Sequence, residues 1–162
     1  MNQSGKMPNL KWAPRDVFEK ILEFAVIPTF DLILDIEERG IILLKRIIPP
    51  YQNLWALPGL RMCKPEEIED TLIRIASDEI GLEIEPCKRF FLGQFIGKFQ
   101  EEFGRQDLST GFAISLGKES KPIYNPKHFK SLRFVNNINE IPTNTGEMYR
   151  FYLKKHFHIK RA

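Results

Sequence analysis

The stretch from residue 65 to 81 constrains this chain most. A proline, acids Glu66 and Glu67 directly after it, apolar residues Ile68, Leu72 and Ile75 at three- and four-residue spacing, and a closing glycine predict an amphipathic helix over 65–80. Gly81 is its left-handed stop. Four residues beyond Ile75 the same stripe reaches Glu79, so that carboxylate follows the buried face and needs a partner. Asp78 and Glu79 also sit in the last turn, where the macrodipole disfavours each negative charge by about 0.3–1 kcal/mol. A bound cation would reverse that penalty. Arg74, four residues from both Asp70 and Asp78, reads as part of a surface charge ladder.

Around this helix the chain alternates between periods. Val17, Phe18, Ile21, Leu22 and Ala25 recur at helical spacing, with Pro28 as the stop. The runs 30–36 and 41–47, separated by Glu37-Glu38-Arg39-Gly40, predict a β-hairpin. A loop from Pro49-Pro50 passes through Trp55-Ala56-Leu57 and breaks at Pro58-Gly59. Apolar runs at 89–96, 108–116 and 131–135 read as strands, 147–157 as a closing helix and 158–162 as a basic tail. This order predicts one layered α/β (α+β) domain over 1–162 with a mixed sheet, residues 1–26 forming an N-terminal helical extension.

Composition excludes several classes. At 162 residues and 43% hydrophobic the chain can bury one core, and a net charge of +3 is too weak for a duplex-wrapping protein, so no specific nucleic acid is expected. Residues 1–8 are polar and no apolar stretch approaches ~18 residues, so no membrane association is expected. Two cysteines and three scattered histidines make neither a disulfide framework nor a zinc site, and a cytoplasmic location is expected. The closely spaced Trp55, Phe90, Phe91, Phe95, Phe99 and Phe103 could stack on a base, although such aromatics in strands are more often core, and none of them is assigned to a site.

Leu57-Pro58-Gly59 followed by Glu66, Arg74, Asp78, Glu79, Gly81 and Leu82 resembles the Nudix box of nucleoside-diphosphate hydrolases, a loop–helix–loop here at 59–82. The resemblance implies a Nudix-type α/β/α sandwich. Leu60 stands where the pattern has a second glycine, and Ile75 where it has a metal-holding glutamate. The GDP-mannose mannosyl hydrolase branch also lacks that glutamate. Phe30-Asp31, Leu44-Lys45-Arg46, Trp55, Arg61, Lys64, Gly93-Gln94-Phe95 and the region of His128 resemble it.

That resemblance implies a Mg²⁺-dependent hydrolase of a nucleoside diphosphate sugar, with Mn²⁺ the alternative ion, in which water attacks the anomeric carbon. Glu79 and the Gly59 carbonyl would hold the metal. Arg46 and Arg61 would stabilise the departing diphosphate, Asp31 would lie near the sugar diphosphate and His128 would be the general base. Glu66, Arg74 and Asp78 would brace these groups. Lys127, Phe112 and Glu101 replace a glutamine, a tyrosine and a histidine of the branch, so its sugar and base are not carried over. The alternatives are a pyrophosphohydrolase recruiting Asp78, Glu101 or Glu102 for the absent glutamate, and a catalytically weak nucleotide-binding module. The segment before residue 26 is expected either to pack across a two-fold axis, as in the resembling homodimer, or to form an intrachain helix.

Overall fold

The computed structural model describes residues 7–161, Arg161 in its backbone alone. Along the chain lie α1 (Arg15–Phe24), β1 (Val26–Ile36), β2 (Gly40–Arg46), β3 (Trp55–Ala56), β4 (Gly59–Arg61), α2 (Ile68–Ile80), β5 (Phe90–Phe99), β6 (Arg105–Leu116), β7 (Phe129–Val135) and α3 (Glu147–Arg161). The strands form one mixed sheet in the order β3-β2-β1-β6-β5, with β4 paired to β1 and β7 to β2.

Strand β1 organises the site. One edge pairs in parallel with β6 from Val26–Gln106 to Ile36–Leu116. The other edge is divided, taking β4 at Thr29–Asp31 and β2 at Asp35–Ile36. The sheet therefore opens between β2 and β4, and there the Pro58 carbonyl accepts from the Leu32 N–H at 2.9 Å.

Both faces of β1 and β2 are covered, which explains their nearly continuous apolar sequences. Phe30, Leu32, Leu34, Ile42 and Leu44 pack with Leu72 and Ile75 of α2. Ile33, Ile41 and Leu43 pack with Tyr149, Tyr152 and Leu153 of α3. A fully buried leucine or isoleucine contributes about 1.5–3 kcal/mol by leaving water. Ile75 has no exposed surface, so position 75 belongs to this core.

Three local expectations are corrected. Pro28 does not end a run but lies inside β1, which begins at Val26 rather than at residue 30. Its carbonyl accepts from the Met62 N–H just past the end of β4, so the missing N–H falls on that side and the β6 ladder loses no bond. Helix α2 starts at Ile68, three residues later than Pro65 predicts, because the Glu67 N–H donates to the Asp70 carboxylate at 2.9 Å and Glu66 is committed elsewhere. Its end is as expected, with Gly81 left-handed at φ 63°. Residues 158–161 are not a tail but the last turn of α3, where Lys160 pairs with buried Asp35; Ala162, like residues 1–6, lies outside the described residues. No helix among the described residues is long and apolar enough to cross a membrane.

Candidate active site

Glu79 finds its partner in His128. The carboxylate is 1% exposed, and its Oε1 lies 2.5 Å from His128 Nδ1. The loop carrying His128 is stitched to the end of α2, with Ile123 N–H donating to the Ile80 carbonyl (2.8 Å) and Asn125 N–H to the Glu79 carbonyl (2.9 Å). These bonds satisfy carbonyls that a helix terminus leaves open. His128 N–H closes the loop on the Asn125 carbonyl at 3.1 Å, and its own carbonyl accepts from Ile47 at 2.9 Å. The spacing of 49 residues hides this pair from any local motif. Burial pushes the Glu79 carboxyl above its ordinary range, against the opposing charge and hydrogen bond of His128 and the charge of Arg46.

Arg46 is buried where the sheet opens. Its Nε donates to the Pro50 carbonyl at 2.7 Å and its Nη2 to the Pro49 carbonyl at 3.1 Å, which shapes the loop after β2. Its charge acts on both Glu79 and Asp31.

Asp31 is not brought against Glu79. Residues alternate across a strand, so Asp31 faces α3 while its neighbours Phe30 and Leu32 face α2. Its Oδ2 accepts from Ser109 Oγ at 2.6 Å, and Ser109 Oγ is 2.8 Å from the Tyr152 hydroxyl. Gly59 is opposite Asp31 in the β1–β4 ladder, and a Cβ there would run into Asp31 Oδ1 and the Phe30 carbonyl. Burial pushes Asp31 up to about 7, against the Ser109 hydrogen bond and the Arg46 charge.

This shift has a testable sign. The unfolded chain releases the Asp31 proton near the ordinary value of 3.8 and the folded chain near 7, so stability falls as pH rises through that interval. The loss is at most about 4 kcal/mol. Asp31→Asn is expected to flatten this slope and to be the more stable protein at pH 8, as read by urea denaturation at pH 5 and pH 8. An unchanged pH difference in the variant would contradict the assignment.

Arg74 does not join Asp70 and Asp78 in a surface ladder. It turns inward to Glu66, with Nε 2.5 Å and Nη2 2.8 Å from the carboxylate oxygens, because that carboxylate is 5% exposed and offers the stronger partner. Nη2 also donates to the Arg61 carbonyl at 2.8 Å. Asp78 is exposed. The Arg61 side chain lies over Phe18 of α1, its guanidinium carbon 3.8 Å from the ring centroid, with Trp12 at 5.2 Å. Neither aromatic carries a sequence signal for a site.

Glu79 gives one oxygen to His128, position 75 supplies no carboxylate, and Glu101 and Glu102 sit on the β5–β6 turn, lining a hollow with Tyr51 and Phe99. Among the described residues no group of three or more His, Cys, Asp or Glu side chains is placed to hold a metal. The protein side chains alone therefore do not fit a resident Mg²⁺ or Mn²⁺ site.

No protein-family profile matches the sequence. Among curated proteins the chain is similar to the low-salt glycan biosynthesis protein Agl8 of Haloferax volcanii, 26% identical over 116 residues, which covers 66% of this chain and 70% of that protein. A MutT NUDIX hydrolase from Burkholderia pseudomallei superposes with a TM-score of 0.69 at 18% identity, covering 80% of this chain and 96% of that one. The NUDIX domain of Shewanella oneidensis NrtR, solved with ADP ribose, gives a TM-score of 0.67 at 13% identity, covering 85% and 90%. The architecture is the Nudix hydrolase fold, an α/β/α sandwich around a mixed sheet, as the 59–82 motif implied.

Proposed function

We propose that this chain binds a nucleoside-diphosphate-linked small molecule and hydrolyses it in the Nudix manner, with Glu79 and His128 as the pair that activates water. The observation carrying this reading is the buried Glu79 carboxylate on His128 Nδ1. An ionised Glu79 accepts from an Nδ1–H, which leaves Nε2 as the proton acceptor. That nitrogen has no partner among the described residues, and the imidazole is 32% exposed, so water can reach it. Arg46, whose charge reaches both carboxylates, opposes the charge of the diphosphate. A Mg²⁺ or Mn²⁺ ion belongs to this reading as a cation carried by the diphosphate, whose charge it offsets. The similarity to a glycan biosynthesis protein and to an ADP-ribose-binding domain agrees with such a ligand.

Attack on the diphosphate is what the hydrolases sharing this fold suggest. One observation favours the second reading, attack at the anomeric carbon as in the GDP-mannose mannosyl hydrolase branch: Ile75 is wholly apolar and buried where a phosphoanhydride-cleaving site would need a carboxylate. Incubation with nucleoside diphosphate sugars and Mg²⁺, with products separated by mass, tests both. Nucleoside monophosphate plus sugar phosphate is expected for the first and nucleoside diphosphate plus free sugar for the second. Tight binding without products would overturn both in favour of a binding module.

A further inference from the structure

A groove of about 500 Å³ lies between the N-terminal segment, α1 and β4, outside the Glu79–His128 pair. Its floor is apolar, from Ile27 and Met62, and three of its lining residues, Lys11, Arg61 and Lys64, are cations. Among the described residues no acidic side chain lines it. Arg61 has no carboxylate within salt-bridge distance among the described residues, and its charge is instead stacked on Phe18 and Trp12. Trp12 remains 59% exposed, an unusual position for the largest aromatic side chain.

The groove is built rather than loose. The Lys11 N–H donates to the Lys64 carbonyl at 3.0 Å, pinning the segment to the loop after β4. The Arg61 backbone is fixed by Arg74, which is itself held by Glu66.

A planar ring attached to an anionic chain matches this combination of an exposed indole, a half-buried phenyl ring beside it and cations with no carboxylate partner among the described residues. We propose that the groove seats the nucleobase of the nucleotide ligand, with Trp12 and Phe18 as its stacking surfaces and Lys11, Arg61 and Lys64 facing its phosphates. The assignment rests on the nucleotide-hydrolase reading above and adds to it where the base lies.

The chain has two tryptophans, so Trp55→Phe leaves Trp12 as the single indole reporter. This variant is titrated with GDP, ADP, UDP and CDP, and with base-free pyrophosphate, by fluorescence and calorimetry. The expected result is Trp12 quenching by at least one nucleoside diphosphate and none by pyrophosphate. Trp12→Ala and Phe18→Ala should each weaken that nucleotide about tenfold or more while leaving pyrophosphate affinity unchanged. Nucleotide binding that leaves Trp12 emission and both variants' affinities unaltered would overturn the groove and spare the hydrolase reading. Absence of binding by every nucleotide and by pyrophosphate would overturn both.

Discussion

Glu66→Ala is expected to lower stability by about 3–5 kcal/mol, because it strips a buried guanidinium of its partner. The Glu66 carboxylate accepts from the Cys63 N–H (2.8 Å), Thr71 Oγ (3.0 Å), Arg74 Nε (2.5 Å) and Arg74 Nη2 (2.8 Å). One side chain thereby joins the loop after β4, the first turn of α2 and the middle of that helix. Burial alone would raise the Glu66 carboxyl, but Arg74 and the Cys63 N–H outweigh it and hold the group below its ordinary value. A depressed carboxyl contributes stability that is present above its unfolded value near 4.5 and is lost as pH falls through the folded one. Urea denaturation at pH 7 measures the effect, and Glu66→Gln should fall between wild type and alanine because the amide keeps a hydrogen-bond acceptor. A loss below about 1 kcal/mol for Glu66→Ala would mean that the clamp is not what fixes β4 against α2.

The largest effect on activity is expected from Glu79→Gln, a fall in kcat of about 10²–10⁴ with stability unchanged or raised. The two readouts diverge for one physical reason. Burial opposes the charge on Glu79, so a neutral isostere relieves a desolvation penalty while ending the carboxylate's hold on the imidazole. His128→Gln should fall in the same range, and the double variant should be little worse than either single one, since the two groups act as a unit. Steady-state kinetics beside thermal unfolding separates this from a folding defect. Loss of activity that tracks loss of folded protein would contradict it.

How much of this was legible in the sequence depends on how local each determinant is. The β1–β2 hairpin, the left-handed Gly81 and the burial of Glu79 follow from spacing within a few residues. The start of α2 was misplaced because Asp70, and not Pro65, decides where the first turn closes. Helical spacing points Arg74 to its neighbours on α2, but a buried carboxylate eight residues upstream is the stronger partner. The branch resemblance gathers Asp31, Arg46, Arg61 and Glu79 as one constellation. The sheet divides them, with Asp31 on the α3 side, Glu79 on the α2 side, Arg46 acting on both and Arg61 under the aromatics of the N-terminal segment. Only strand parity together with the actual pairing of β4 reveals that division. The Trp12–Phe18–Arg61 stack was invisible for a different reason: an exposed tryptophan before a helix carries no periodic signal.

Water activation by Glu79 and His128 is tested by hydrolysis in ¹⁸O-water by wild type, Glu79→Gln and His128→Gln, with nucleoside diphosphate sugars as substrates and the label followed by mass spectrometry. One ¹⁸O per turnover is expected in a wild-type product, with at least a ~10²-fold slower incorporation in both variants. Incorporation at the wild-type rate in either variant, or none by the wild-type protein from any substrate, would contradict it.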